Sequence, residues 1–282
     1  EIILWCTWRT LVEQWDIAFD LFSELGIAGI KVDFFNRDDQ ITIASMEAIA
    51  QEAASRQLVV DFHGARALPG FGRTWPNVFN FEGVRGNEYS KFSDEPPQPE
   101  HNVILPFTRG LVGPMDYTPG GMTNIFATDY AKSFSQPTTI GTRCHQLAMF
   151  VVYSAPLHMM CDSASNYRKA PDFLKFMAEI PSTWEDSKVL DSQIGEHVAI
   201  ARRSGDTWYV GVLGGEDART LQLDLSFIRR GVHQATLAID GVNADRLPID
   251  YQIQSVDLDA QQPFVVNLAP GGGAVLKIEL DR

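Results

Sequence analysis

The sequence predicts an α/β domain of parallel strands with helices outside, followed by a domain of short antiparallel strands. The first domain is predicted by short apolar runs that alternate with stretches carrying apolar side chains at helical spacing. The second is predicted by a change after Trp184, where short alternating segments are separated by turn residues, as in a β-sandwich. We place the first domain at 1–185 and the second at 186–282.

The elements of the first domain follow from the spacing of apolar residues. The predicted strands are 2–8, 29–35, 58–64, 78–84, 112–118 and 156–163. The predicted helices are 11–26, 39–57, 142–155 and 171–180, the first of which ends at a glycine suited to a C-cap. In the second domain the predicted strands are HVAIARRSG, TWYVGVLGG, ARTLQLDLSFI, HQATLAIDG, YQIQSVDLDA, QPFVVNLA and GAVLKIEL.

Polar side chains lie at or near the carboxyl ends of the predicted strands of the first domain. They are Asp33, His63, Glu82, Asp116 and Asp162. In a (β/α)8 barrel these ends form the rim of the active site, and in an open doubly wound sheet they also collect ligands. No glycine-rich phosphate loop follows a strand, which disfavours a nucleotide site. Roughly six strands precede residue 165, so the sequence predicts a (β/α)8 (TIM) barrel that is partial at its N-terminal end.

Charge and composition exclude several classes of partner. The net charge of -13 and the pI near 4.8 argue against nucleic-acid binding, which depends on clustered Lys and Arg. No apolar run reaches the ~18 residues that a membrane span needs, and the first residues lack the features of a signal peptide. Three cysteines are too few for a disulfide framework. We expect a small-molecule ligand, with no nucleic acid and no membrane span.

Two charged residues interrupt the buried-looking strand in GIKVDFFNRDDQ, residues 29–40. A buried charge is costly unless it is paired or used. Asp33 is therefore either a member of a structural ion pair or a catalytic carboxylate. Lys31 lies two residues earlier, on the same face of the strand, and would favour the anionic form of Asp33.

Two glutamates, Glu82 and Glu88, flank a short glycine-containing turn in FEGVRGNE. Two close carboxylates repel each other unless a cation or a shared proton neutralises them. Hard oxygen ligands of this kind suit Ca2+, so both glutamates are candidate metal ligands. The alternative is that Arg73 or Arg85 neutralises them.

Five motifs carry a resemblance to a known family. They are GIKVDFF, FHGA…PGFGRTWPN, FEGVRGNE, PMDYTPGG and SAPLHMMCDS, and they span about 5–185 in order. Together they resemble glycoside hydrolase family 97, the calcium-dependent α-glycosidases. That family has an N-terminal β-sandwich, a catalytic barrel and a C-terminal β domain. The resemblance therefore implies that an N-terminal β-sandwich segment and the first barrel strands are missing from this chain.

The resemblance also implies catalytic roles. Retaining members carry an aspartate at the end of the fourth barrel strand, where this chain has Asp33. Inverting members use a glutamate just after the fifth strand, where this chain has DFHGA. The resemblance thus implies a retaining enzyme with Asp33 as nucleophile, Glu88 as proton donor and Glu82 as a Ca2+ ligand. Retention requires ~5–5.5 Å between the carboxyl groups of nucleophile and proton donor.

Retaining members are similar to α-galactosidases, so the expected substrate is a terminal α-galactoside, cleaved through a covalent glycosyl-aspartate. An α-glucosidase of the same family and a non-catalytic carbohydrate-binding fragment are the alternatives. Enzymes similar to this one are mostly bacterial and periplasmic or outer-membrane associated, which is the expected localisation.

Further residues are candidates for contact with the sugar, each beside a structural alternative. Trp8 either stacks on a sugar or belongs to the core, and His63 either binds a hydroxyl or is structural. Asp116 either lines the pocket or caps the TPGG turn. The candidate substrate-binding residues are Trp8, Lys31, His63, Arg73 and Asp116.

Overall fold

The structure, a computed structural model, describes residues 1–280. The chain forms two compact units. The first contains Glu1–Val84, Arg109–Tyr117 and Ala155–Leu157. The second contains Arg85–Thr108, Thr118–Ser154 and the residues from His158 onward. In these described residues no helix has the length and apolar content needed to cross a bilayer.

The first unit is built on a parallel four-stranded sheet in the order β1-β2-β3-β4. Its strands are β1 (Ile3–Thr7), β2 (Gly29–Asp33), β3 (Val59–Phe62) and β4 (Val78–Phe81). The helices between them are α1 (Trp8–Glu13), α2 (Trp15–Leu25), α3 (Gln40–Ser55) and α4 (Phe71–Thr74). Gly26 ends α2 in the left-handed conformation, with φ of 62°, as the sequence predicts.

One face of this sheet is apolar and packs against the helices. Val32, Val60 and Phe62 point to that face and are fully buried among side chains of α2 and α3. Because successive side chains of a strand point to opposite faces, their neighbours Lys31, Asp33 and Asp61 point to the other face. The charged residues of the strands therefore lie together, away from the helices.

The strand register arranges this polar face in two rows. Asp61 pairs with Lys31 on one side and with Asn80 on the other. The ladder continues past the ends of the strands, where the N–H of His63 donates to the carbonyl of Val32 and that of Glu82 to the carbonyl of Phe62. The lower row is therefore Lys31, Asp61 and Asn80, and the upper row is Asp33, His63 and Glu82.

The predicted strand 112–118 forms a single bridge, between Met115 and Phe81. The guanidinium of Arg109 replaces most of the missing ladder by donating to the carbonyls of Phe81, Glu82, Gly113 and Pro114 at 2.8–3.3 Å. Proline cannot donate a ladder hydrogen bond, which explains why Pro114 interrupts the strand.

The predicted strand 156–163 is wrong, because the structure has no strand there. Pro156 and the bends around it take the place of the strand. Within the first unit, the carbonyl of Leu157 accepts a hydrogen bond from the side-chain amide of Asn80, at 2.6 Å.

The second unit begins with short helices and small sheets. Its 3₁₀ helices include Asn87–Lys91, and its α-helices are α5 (Pro99–Ile104), α6 (Arg143–Val152), α7 (Ala164–Tyr167) and α8 (Pro171–Ala178). A two-stranded parallel sheet joins β5 (Asn124–Ile125) to β6 (Thr139–Ile140). Helix α6, predicted from its apolar spacing, is buried over almost its whole length.

The second unit continues as the predicted antiparallel β-sandwich. Its strands are β7 (Asp186–Gln193), β8 (His197–Ser204), β9 (Thr207–Gly214), β10 (Arg219–Leu223), β11 (Val232–Asp240), β12 (Tyr251–Asp259), β13 (Phe264–Leu268) and β14 (Gly273–Glu279). Six form a sheet in the order β12-β11-β14-β9-β8-β7, and β10 pairs with β13. Helix α6 reaches this sheet at Gly211, where a Cβ would lie 2.7 Å from the Cβ of Val151. The sequence did not predict β7, whose side chains are mostly exposed.

Candidate active site

The site is built around Asp33, the last residue of β2, which is 6% exposed. Its Oδ2 accepts a hydrogen bond of 2.9 Å from the indole N–H of Trp5. Its Oδ1 accepts the backbone N–H of Phe34 and lies 3.3 Å from Nδ1 of His63. Three donors therefore converge on one carboxylate, which is the arrangement that stabilises its anion.

These contacts set the protonation of Asp33. Burial by itself raises the pKa of Asp33, but the hydrogen bond from His63 and then that from Trp5 outweigh it, so the net pKa is lowered. Burial by itself lowers the pKa of His63, but the hydrogen bond to Asp33 and the charge of Glu82 outweigh it, so the net pKa is raised. Each member of the Asp33–His63 pair therefore favours the charged form of the other.

The backbone that follows Asp33 is strained. Phe34 and Asn36 have φ values of +66° and +46°, in a region that residues other than glycine seldom adopt. Hydrogen bonds hold this turn, since the N–H of Asn36 donates to the carbonyl of Gly64 at 2.8 Å. Strain of this kind persists where the surroundings over-determine it, and it clusters at functional sites.

Gly64 lies directly against Asp33. Its φ is +58°, and a Cβ at this position would lie 3.2 Å from Oδ1 of Asp33 and 3.1 Å from the backbone nitrogen of Phe34. Its N–H donates to Oε2 of Glu82 at 2.8 Å. A side chain at position 64 would therefore require Asp33 or the backbone of Phe34 to move by a few tenths of an ångström.

Glu82 lies next to His63 and is 9% exposed. Its Oε2 is 3.6 Å from Nδ1 of His63, and its backbone carbonyl accepts hydrogen bonds from Arg109. Arg85, one of the two arginines proposed from the sequence as a neutraliser, interacts with Ser93 and Glu95 within the second unit.

Lys31 makes its direct contacts with two other carboxylates. Its ammonium donates a hydrogen bond to Oδ2 of Asp116 and lies 3.6 Å from Oδ2 of Asp61. The direct partners of Asp33 are Trp5, His63 and the backbone of Phe34, and Lys31 acts on Asp33 through its charge alone. Asp116, 3% exposed, also lies 3.7 Å from Nε2 of His63.

The remaining predicted residues lie in other surroundings. Trp8 begins α1, and its ring stacks on Phe35 at 5.5 Å, as its structural alternative predicts. Arg73 lies on α4, is exposed, and lines a largely apolar groove with Phe79 and Val112. Glu88 belongs to the second unit, on the 3₁₀ helix Asn87–Lys91.

The 3₁₀ helix that carries Glu88 is anchored within the second unit. The side-chain amide of Asn87 donates to Oε1 of Gln146 on α6, at 2.7 Å. Glu88 itself is half-buried. An acid group on a rigid, partly buried element is suited to proton transfer.

Sequence reasoning missed three residues of the first unit that contact the site. Trp5 was read only as part of an apolar strand, although the pairing of β1 with β2 brings its indole to Asp33. Asp61 was not singled out, although its alternation with Val60 and Phe62 indicates a polar face. The sequence gives no signal for Arg109, because its partners are backbone carbonyls.

Two family models match the chain. The model described as Glycoside hydrolase 97 matches residues 1–84, and the one described as Glycosyl-hydrolase 97 C-terminal, oligomerisation, matches residues 183–279. The chain belongs to glycoside hydrolase family 97. This assignment confirms the family that the five sequence motifs suggested.

Relatives of this family 97 chain include two curated proteins. It is 43% identical to a retaining alpha-galactosidase of Bacteroides thetaiotaomicron over 99% of this chain and 42% of that protein. It is 28% identical to a probable retaining alpha-galactosidase of Streptomyces bingchenggensis over 83% of this chain and 33% of that protein. The chain therefore spans less than half the length of these relatives.

Solved structures give the same family. A Glycoside Hydrolase Family 97 enzyme from Pseudoalteromonas sp. strain K8, in complex with panose, matches with a TM-score of 0.88 and 27% identity over 98% of this chain and 46% of that one. The complex of a Pseudoalteromonas family 97 enzyme with acarbose matches with a TM-score of 0.88 and 28% identity, with the same coverage of both chains.

The Trp5 contact makes a testable prediction. Trp5→Phe keeps an aromatic ring but removes the N–H donor, so we expect the pKa of Asp33 to rise, because one hydrogen bond to its anion is lost. Carbon-13 NMR titration of the Asp33 carboxyl group measures this change. Trp8→Phe is the matched control and should leave that pKa unchanged. Equal shifts in both variants, or none in Trp5→Phe, would contradict the assignment.

Proposed function

We propose that this chain carries the nucleophile side of a retaining glycosidase that acts on terminal α-galactosides. The observation that carries the proposal is the carboxylate of Asp33, held as an anion by Trp5 and His63 at the carboxyl end of a parallel strand. A nucleophilic carboxylate must be ionised before it attacks. The 43% identity to a retaining alpha-galactosidase supports the choice of substrate.

The reaction is a double displacement. Asp33 attacks the anomeric carbon while Glu88 donates a proton to the departing glycosidic oxygen, and a glycosyl ester forms on Asp33. Glu88 then takes a proton from water, which attacks the same carbon, displaces Asp33 and restores the original anomeric configuration. This scheme requires that the carboxyl groups of Asp33 and Glu88 lie about 5–5.5 Å apart in the working protein.

Gly64 supports retention over inversion. An inverting mechanism places a second carboxylate as general base, and the family resemblance puts that base immediately after β3. A Cβ at position 64 would already approach Oδ1 of Asp33 to 3.2 Å. A glutamate at position 64 would therefore require Asp33 to shift, and this chain has a glycine there.

The charge of His63 serves Asp33 in two ways. Its Nδ1 lies 3.3 Å from Oδ1 of Asp33, so it stabilises the carboxylate both before attack and when the carboxylate leaves the glycosyl ester. His63 is only 7% exposed, so little water screens its interaction with Asp33. His63 is thus a neighbour of the nucleophile within the unit, in addition to its expected contact with sugar.

The chemistry of Glu82 and that of Glu88 each suit the Ca2+ that the family resemblance implies, because carboxylate oxygens are the ligands that Ca2+ prefers. In the first unit, the N–H of Gly64 fixes the orientation of the Glu82 carboxylate. When bound, the ion would hold sugar hydroxyls and stabilise charge that develops on the substrate.

The proposed architecture is a (β/α)8 barrel at 1–185 with a β-sandwich domain at 186–282. The four parallel strands and the bridge at Met115 support it, and β1 is an edge strand that can accept a further strand on its free side. We propose that an N-terminal segment of the parent protein supplies the remaining strands and a β-sandwich. A periplasmic or outer-membrane location fits an enzyme that degrades oligosaccharides.

Loss of the nucleophile tests the proposal. Asp33→Ala should lower kcat for an aryl α-galactoside by at least about a thousandfold, because no glycosyl ester can form. External azide should restore turnover and give β-galactosyl azide. Asp38→Ala, at an exposed surface ion pair with Arg66, is the matched control and should stay active. Failure of azide rescue, or faster hydrolysis of the aryl α-glucoside, contradicts the proposed nucleophile or substrate respectively.

The position of Gly64 gives a second test. Gly64→Ala should lower kcat/KM at least about tenfold, because the new methyl group displaces Asp33. Gly26→Ala is the matched control, since Gly26 has nearly the same φ, +62°, but nothing within 4 Å of its Cβ position. Both variants should lose similar stability, about 1 kcal/mol, from the left-handed backbone. Equal activity losses in the two variants would show that strain alone, and not contact with Asp33, explains the effect.

A further inference from the structure

The lower row of the polar face contains charges that the proposed reaction does not use. This row consists of register-matched residues on β2, β3 and β4, namely Lys31, Asp61 and Asn80. Each precedes its neighbour in the upper row, Asp33, His63 or Glu82, by two residues. Inner rows of parallel strands are ordinarily filled by branched apolar side chains. A charged inner row is costly to bury, so its charges need an explanation.

The charges of this row do not balance if every group is ionised. One ammonium, that of Lys31, faces two carboxylates, Asp61 and Asp116, whose side chains are 1% and 0% exposed. Three titratable groups face Asp61: Lys31 from β2, Asp116 from the segment beside β4, and His63, which directly follows β3. The neutral Asn80 faces it from β4. Two ionised carboxylates sharing one site raise the proton affinity of one of them.

The contacts indicate which carboxylate holds the proton. The ammonium of Lys31 donates to Asp116, and Nε2 of His63 lies 3.7 Å from the same oxygen. In contrast, neither oxygen of Asp61 accepts a hydrogen bond from an N–H or O–H donor in residues 1–280. A buried anion without donors is the less stable of the two. The proton therefore belongs on Asp61.

We propose that Asp61 is a positioning residue that is protonated at neutral pH, donates a hydrogen bond to Asp116 and thereby keeps Lys31 and His63 in place beneath Asp33. Burial, followed by the charge of Asp116, raises the pKa of Asp61, which agrees with this assignment. Asp116 then accepts the hydrogen bond of Lys31 and lies beside Nε2 of His63, whose other nitrogen faces Asp33. The inference rests on the proposed function only in that Asp33 is the group served.

Three variants separate this role from a simple ion pair. Asp61→Ala removes the donor and should lower kcat for the aryl α-galactoside at least about tenfold, with a smaller effect on KM. Asp61→Asn is neutral, isosteric and able to donate, so it should recover most of that loss and weaken the decline in activity at alkaline pH. Asp116→Asn removes the required anion and should be far more damaging than Asp61→Asn. Equal losses of kcat in Asp61→Asn and Asp116→Asn would overturn the proposal, because they would show that Asp61 must be ionised beside Lys31, as Asp116 must.

A stability measurement tests the proton without reference to activity. A carboxyl group whose folded pKa lies above its unfolded value stabilises the fold fully below the unfolded pKa, and this contribution is lost as pH rises through the folded pKa. The Tm of the wild-type protein should therefore fall relative to that of Asp61→Asn between pH 5 and pH 9. A pH-independent difference, or one of opposite sign, would overturn the proposal. The Tm can be measured even if the protein hydrolyses no α-galactoside. Failure of the proposed function is therefore distinguishable from failure of this inference.

Discussion

The register of the parallel strands β2, β3 and β4 is the constraint on which the site depends. Because side chains alternate between faces, a single register places every charged residue of these strands on the face away from the helices. A slip of one residue would turn Asp33 and Asp61 toward the helices, and Val32 and Val60 toward the polar face. The apolar face therefore fixes the polar face, since burial of Val32, Val60 and Phe62 stabilises only this register.

The cost of gathering these charges is offset by pairing. With the proposed proton on Asp61, the other acidic side chains of the site in the first unit lie beside basic ones. Asp116 is beside Lys31, Asp33 is beside His63, and the charge of Arg109 acts on Glu82. Arg109 contributes geometry as well as charge, because its guanidinium donates to carbonyls on both sides of the gap between β4 and Met115. Arginine suits this role, since its planar fork carries five donors. The positions of Glu82 and Asp116 thus depend on one side chain from outside the strands.

The sequence predicts the location of the site better than the hydrogen bonds and ion pairs within it. Charged residues at the carboxyl ends of apolar strands predicted that Asp33, His63, Glu82 and Asp116 would lie near one edge, because parallel strands share a direction. Sequence spacing indicates that Lys31 and Asp33 share a strand face, and their charges do interact. It does not indicate that Asp116, 85 residues away, accepts the hydrogen bond of Lys31. The indole of Trp5 and the guanidinium of Arg109 act across strands, which only the tertiary structure defines. The strand predicted at 156–163 is wrong because Pro156 has no N–H to donate and the backbone bends there.

The central claim, that Asp33 is the nucleophile of a retaining glycosidase, is most directly tested by trapping its glycosyl ester. A fluorinated α-galactosyl donor that reacts faster than its ester hydrolyses should label the protein, and peptide mass spectrometry locates the sugar. We expect one sugar on the peptide that contains Asp33, and no label in Asp33→Ala. A label on a different carboxylate, or none from a protein that hydrolyses the parent α-galactoside, would contradict it.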